Sequence, residues 1–217
     1  MEWSNKDYAL HYHREINLMP IPVSGKQSLV AWKEYQDKVA PEHIVRDWFL
    51  KHINAGIAIL TGPVSNVLVL DLDGQQAIDL ISTKYPVPKT WMVQTRKGRH
   101  LYFKWDKRIN FPTVIVKLCG MGSKKGETPE WGVDVRGHGG YVVAPPSEGV
   151  YHWLPGYAPW EVNLAPLPDW LFSLLTFHNK SEQEGSTTQP EKTWLTELLE
   201  GVGQGERHGA LAKLSGY

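Results

Sequence analysis

Apolar and polar positions along the chain alternate between two periods. Val67-Leu68-Val69-Leu70 is an unbroken apolar run leading into Asp71-Leu72-Asp73-Gly74, as expected of a strand buried on both faces. Upstream, Pro41 fits a first helical position, and Ile44, Val45, Trp48, Phe49 and Ile53 recur at helical spacing. Gly56 is expected to end that helix, and Ile57-Ala58-Ile59-Leu60 reads as a short buried strand. Thr61-Gly62-Pro63 is expected to turn the chain back into the Asp-x-Asp strand, after which Gly74 opens a helix carrying Ala77, Ile78, Leu80 and Ile81.

Beyond Pro86 and Pro88 the pattern is mostly that of strands. Residues 90–95 and 100–105 flank Arg96-Lys97-Gly98-Arg99, the spacing of a hairpin with a basic tip. A third strand is expected at 113–118, then a loop rich in glycine and lysine at 119–132, then strands at 132–136 and 140–144. Four prolines make 154–168 an irregular wrap, and Pro168 opens a helix with Trp170, Leu171, Leu174 and Leu175 on one side. Residues 179–190 hold almost no apolar side chain and read as a linker. Trp194, Leu195, Leu198 and Leu199 fit a short amphipathic helix, and residues 191–217 read as the start of a truncated helical domain. The catalytic unit is thus expected over residues 1–178.

Composition narrows the picture. With 217 residues, 41% of them hydrophobic, the chain can form one sizeable domain or a domain with an appendage. Its 23 basic and 23 acidic residues cancel, so a polyanionic partner must be met by a local patch. No apolar run reaches membrane-spanning length, and the first residues lack the regions of a signal peptide. The single Cys119 leaves no internal disulfide and no cysteine-rich zinc site, so a cytoplasmic protein without membrane association is expected.

Three clusters bear on chemistry. Asp71 and Asp73 alternate to the same side of their strand, about 7 Å apart, where two carboxylates repel unless a positive charge lies between them. A divalent metal ion is one such charge; equally, Asp71 could cap the strand while Asp73-Gly74 forms a turn. His100 shares a strand face with Tyr102 and Lys104, opposite Leu101 and Phe103, either as a functional group or as a polar residue on the solvent side. In Trp131–Arg136, Val133 and Val135 face one way and Asp134 and Arg136 the other, which alone could be a surface ion pair. Taken together, three aspartates on polar strand faces suit a two-ion magnesium or manganese site that leaves room for substrate phosphates. Arg96, Lys97, Arg99, Lys104, Lys107, Arg108, Lys117, Lys124 and Lys125 stand against the single acid Asp106, a run consistent with phosphate-backbone binding or simply with solubility.

These stretches carry a resemblance. The strand ending in Asp71-Leu72-Asp73, the Thr95-x-x-Gly98-x-His100-x-Tyr102-Phe103 stretch and the long Asp134-x-Arg136-Gly137-x-Gly139-Gly140-Tyr141-Val142-Val143-Ala144-Pro145-Pro146-Ser147 motif resemble the bifunctional primase–polymerase domain of the archaeo-eukaryotic primase superfamily. The likeness spans roughly residues 10–178, with WKEYQ (32–36) and the Thr61-Gly62 turn also matching. It implies an α/β (α+β) fold whose mixed, largely antiparallel sheet carries the site on an open face, split into an N-terminal α/β part and a part like an RNA-recognition motif. It implies metal ligation by Asp71, Asp73 and Asp134, a nucleotide contact from His100, and Mg2+ or Mn2+ rather than zinc. The expected reaction is template-directed nucleotidyl transfer onto a primer 3′-hydroxyl, in replication of a plasmid, phage or other mobile element. Arg136 and Lys97 are expected to assist at the nucleotide, and Arg96, Arg99, Lys124 and Lys125 at single-stranded template and primer; a helicase domain or subunit is a possible partner. Two rivals are weighed. LDLDG resembles the opening motif of haloacid-dehalogenase-type phosphatases, although Gln75 stands where threonine usually follows. The other is a non-catalytic module that binds nucleotide or nucleic acid within a larger replication protein.

Overall fold

The expected strands are shared between two sheets. The computed structural model describes residues 3–111, 113, 116–121 and 131–183. Helix α1 (Asn5–Arg14) precedes β1 (Pro20–Ser24), β2 (Gln27–Ser28), a 3-10 turn at Lys33–Tyr35 and α2 (Glu42–Lys51). Then come β3 (Gly56–Leu60), β4 (Val67–Asp73), α3 (Gln75–Lys84), β5 (Met92–Gln94) and β6 (Gly98–Lys104). The remaining elements are β7 (Val116–Met121), β8 (Trp131–Arg136), β9 (Tyr141–Ala144), β10 (His152–Trp153) and α4 (Asp169–Gln183). One sheet has the order β2-β1-β3-β9 and the other β10-β5-β6-β4-β8-β7. Every ladder between these strands is antiparallel, and Phe103–Ala165 is an isolated parallel bridge. The fold is α+β, with four α-helices among the described residues, the class the sequence implies.

Strand β4 lies inside the six-stranded sheet because both of its faces are apolar over its first half. Leu68, Leu70 and Leu72 pack with Leu101 and Phe103 of β6, Val133 and Val135 of β8, and residues of α3 and α4 including Ala77, Ile81, Leu171 and Leu174. On the opposite face Val67 and Val69 join Val93 and Tyr102 in a second core, shared with β1, β3, β9, α1 and α2. Each such aliphatic side chain contributes about 1.5–3 kcal/mol relative to an exposed one.

Several expectations are corrected. Helix α2 stops at Lys51 with His52 as its C-cap, and Ile53 lies beyond it, 74% exposed. Gly56 does not end the helix; it is the first residue of β3, where a Cβ would sit 3.1 Å from Ser147 Oγ. The Thr61-Gly62-Pro63 turn does lead the chain back into β4, the Gly62 N–H donating to the Val67 carbonyl at 2.6 Å and the Val67 N–H to the Gly62 carbonyl at 3.2 Å. The strands on either side nevertheless belong to different sheets: β3 pairs with β1 and β9, whereas β4 pairs with β6 and β8. The chain therefore crosses from one sheet to the other there, and crosses back between β8 and β9. The two crossings touch. Thr61 Oγ1 donates to the Gly137 carbonyl at 2.5 Å, and its N–H donates to the Gly140 carbonyl at 3.0 Å. Gly62, at φ +99°, lies so close that a Cβ would be 2.7 Å from His138 Cα.

Strand β7 begins at Val116 and takes in Cys119, Gly120 and Met121, which the sequence pattern assigns to a loop. Helix α4 continues to Gln183, into the stretch read as a linker. Lys124 and Lys125 and the expected helices after residue 191 lie outside the described residues. No helix among the described residues is long and apolar enough to cross a membrane.

Candidate active site

Strand register decides which side chains meet. Asp71 pairs with His100 of β6 on one side and with Asp134 of β8 on the other. Asp73, two residues on and on the same face, pairs with Gly98 and Gly132, so neither neighbouring strand places a side chain beside its carboxylate. Asp134, 61 positions after Asp73 in sequence, thus lies beside the Asp-x-Asp pair on a shared strand surface.

Two carboxylates directly opposite across a ladder repel. Arg136, two residues along β8 on the same face as Asp134, answers that repulsion. Its guanidinium lies 3.4 Å from Asp134 Oδ2 and 3.7 Å from Asp71 Oδ2. His100 Nε2 lies 3.3 Å from Asp71 Oδ1, and His100 Nδ1 is buried without a hydrogen-bond partner among the described residues. Asp71 and His100 are only 8% and 5% exposed, so His100 does not lie on a solvent side. Tyr102, the next residue on that face, is fully buried. Burial pushes the Asp71 carboxyl up, but His100, by charge and hydrogen bond, outweighs it together with Arg136 and Lys26, and the group is held below the usual carboxylate range.

The local sequence explains how these strands come so close. Thr95 and Gly98 close the tip of the β5–β6 hairpin: the Gly98 N–H donates to Thr95 Oγ1 at 3.0 Å, and the Thr95 N–H to the Gly98 carbonyl at 2.9 Å. A Cβ on Gly98 would stand 1.8 Å from the Leu72 carbonyl oxygen, so only glycine lets β6 lie against β4 at that point. Gly137 is equally constrained, since its Cβ would be 2.3 Å from Thr113 Oγ1. In the Pro145-Pro146-Ser147 turn, Ser147 Oγ accepts from the Ile57 N–H at 2.8 Å and donates to the Ala144 carbonyl at 2.6 Å, tying the end of β9 to β3.

Asp71 and Asp73 open into a cleft of about 470 Å³ where the two sheets part, whereas Asp134 is not among the residues that line it. The six-stranded sheet lines it with Asp71, Asp73, His100, Arg136 and the Thr95–Lys97 tip. From the other side come Lys26, Trp32, Gly139, Gly140 and Tyr141–Val143, while Glu148 and Tyr151 also line it. The site therefore lies between two sheets rather than on one open face. Lys26, Trp32, Tyr141 and Tyr151 are lining residues that the pattern of acids and bases does not single out. Trp32 and Tyr141 do fall inside stretches that carry the resemblance.

The basic run is not one patch. Arg96 and Lys97 reach the cleft, Arg96 paired with Glu148 at 2.9 Å. Arg99 belongs to β6 rather than to the hairpin tip, and strand alternation puts it on the face of Leu101 and Phe103, away from His100. Arg108 pairs with Asp106 and Asp169 and lies over the Phe172 ring at 4.1 Å, on the helix-covered side.

Three aspartates supply hard oxygen donors of the kind magnesium and manganese prefer, so the donor chemistry fits such an ion. Among the described residues no three His, Cys, Asp or Glu side chains converge into a ready cage. Arg136 and His100 hold Asp71, so its carboxylate must exchange partners to take a cation.

Comparison with known proteins agrees with the geometry. A search of the curated proteins gives no significant match. The LDLDG likeness to phosphatases finds no support in the family that does match. A family model described as the N-terminal domain of bifunctional DNA primase/polymerases matches residues 9–170, most of the chain, and the chain belongs to that family.

Proposed function

We propose that this chain is the catalytic part of a DNA primase/polymerase that extends a primer on a single-stranded DNA template. The family match points to primase/polymerase-type nucleotidyl transfer. One observation supports the finer reading above others: strand register sets Asp71 between His100 and Asp134, with Asp73 beside them, and Asp71, Asp73 and His100 line a cleft that also holds basic groups.

In this reading Asp71, Asp73 and Asp134 hold Mg2+ or Mn2+. Such ions, when bound, supply the charge that activates the attacking primer hydroxyl and offsets that on the departing pyrophosphate. His100 donates to a phosphate oxygen of the nucleoside triphosphate through Nε2, the nitrogen that lies beside Asp71. Arg136 has two tasks. It offsets the charges of Asp71 and Asp134 in the structure seen here, and it would turn to the triphosphate if those acids held a cation. Lys97 approaches from the hairpin tip, with Arg96 toward the nucleic acid. Residues 1–178 form the catalytic unit. The setting is replication of a mobile element in the cytoplasm, alongside a helicase.

The test is primer extension with magnesium or manganese by the Asp71→Ala, Asp73→Ala double variant. Extension is expected to fall at least about 100-fold, equal to roughly 2.7 kcal/mol of barrier, while Asp79→Ala on α3 leaves it unchanged. Undiminished extension by the double variant would remove the assignment. Nucleotide binding by the wild type without incorporation on any primed template would favour a non-catalytic module.

A further inference from the structure

The nucleotidyl-transfer reading draws on the six-stranded sheet, yet half of the cleft wall belongs to the other sheet. Four cationic side chains of Lys and Arg line the cleft among the described residues. Arg136 is held by Asp71 and Asp134, and Arg96 by Glu148. Lys26 and Lys97 have no ion pair among the described residues, and they come from opposite walls. Lys97 lies at the β5–β6 tip, whereas Lys26 lies in the turn between β1 and β2. A small anion satisfies one such ammonium group. A chain of several phosphates, spreading charge over many oxygens, can meet both.

Lys26 is not left to a loose turn. The Tyr141 hydroxyl donates to the Lys26 carbonyl at 2.9 Å, spanning from β9 to the turn. Trp32 braces the Tyr141 ring edge-on, with centroids 5.0 Å apart and planes at 84°. Both rings line the same cleft. Gly25, at φ +57°, gives the turn the left-handed residue it requires. Across the cleft, the Lys26 charge is close enough to act on the Asp71 carboxyl.

We propose that the β1–β2 turn is a nucleotide-binding element, in which Lys26 grips the triphosphate from the wall opposite Lys97 and Tyr141 holds Lys26 in position. The proposal rests on the nucleotidyl-transfer reading and assigns to the four-stranded sheet a share of substrate binding. Lys26 touches the nucleotide; Tyr141 acts through it as a positioning residue.

Inorganic tripolyphosphate and dATP are titrated by calorimetry, with magnesium, into the wild type and into Lys26→Ala, Lys26→Arg and Tyr141→Phe. KM and kcat for dATP are measured in parallel by primer extension. Lys26→Ala is expected to weaken both ligands and raise KM by about 10-fold, the loss of one charge-assisted contact, with kcat within about twofold. Lys26→Arg is expected to restore most of that affinity. Tyr141→Phe, which keeps the ring and frees the turn, is expected to give a shift of the same kind of roughly threefold. Melting temperatures should match the wild type, because Lys26 is exposed.

Unchanged tripolyphosphate affinity in Lys26→Ala overturns the proposal. So does a variant that loses only primer–template affinity, which would give Lys26 to the DNA backbone. A wild type that binds tripolyphosphate but extends no primer overturns the polymerase reading, while the Lys26→Ala titration still decides the clamp. A wild type that binds neither ligand overturns both.

Discussion

Along β4, one face is covered by helices over Leu68, Leu70 and Leu72, whereas the other is covered at Val67 and Val69 and opens at Asp71 and Asp73. The side chains alternate identically on both. What differs is the cover: α3 and α4 follow the strand on one side, while on the other the two sheets part after Val69. The site is therefore the uncovered end of a core face, not a cavity dug into the core. Asp71 can be buried, and Asp73 half-buried, and both still line the cleft, because the apolar packing that fixes the strand stops just before them.

Three substitutions would break or sharpen this comparison. The largest effect is expected from Gly98→Ala. Its methyl group cannot coexist with the Leu72 carbonyl 1.8 Å away, so the β4–β6 ladder must part beneath both faces. Chemical denaturation should show a loss of about 4–5 kcal/mol or more, or no folded protein at all. A stable Gly98→Ala protein would mean that β6 can shift freely against β4.

Next is Leu70→Ala on the helix-covered face, expected to cost roughly 2–5 kcal/mol through lost burial and a residual cavity. Nucleotide affinity per folded molecule should stay within about twofold, since Leu70 points away from the cleft. An affinity change out of proportion to the stability loss would show that the two faces are not independent.

The smallest effect concerns acid sensitivity. The Asp71 carboxyl is held below its ordinary value, so its contribution to stability is fully present above the unfolded value of about 3.9. It is lost as pH falls through the lower folded value. The gap in melting temperature between wild type and Asp71→Asn should therefore be widest near neutrality and close as pH drops below about 4. A gap that widens on acidification would reverse the sign of the shift.

Much of this was readable in the sequence where one strand's own alternation decides the matter. The Val67–Leu70 run, the common face of Asp71 and Asp73, and the opposed faces of Val133 and Asp134 all follow from a period of two. Readings failed where the answer lies in partners distant along the chain. Ile57–Leu60 and Val67–Asp73 are both apolar and separated by a turn, yet each finds its hydrogen bonds in a different sheet. The hairpin tip is shorter than the sequence pattern suggests: Gly98 starts β6, and alternation carries Arg99 to the far side. Lys26 and Trp32 belong to the site only because the first sheet folds over the second, which nothing local in residues 20–36 reveals.

The adjoining crossings at Thr61-Gly62 and Gly137–Gly140 have a consequence for how the molecule can change. They bind the two sheets along a seam beside the cleft, as a spine binds two covers. A lesion at that seam is felt by both covers at once, whereas the free margins carrying Lys26 and Lys97 can vary residue by residue. Divergence in what the molecule grips should gather at those margins, while Gly62 and Gly137 in the spine should tolerate no side chain.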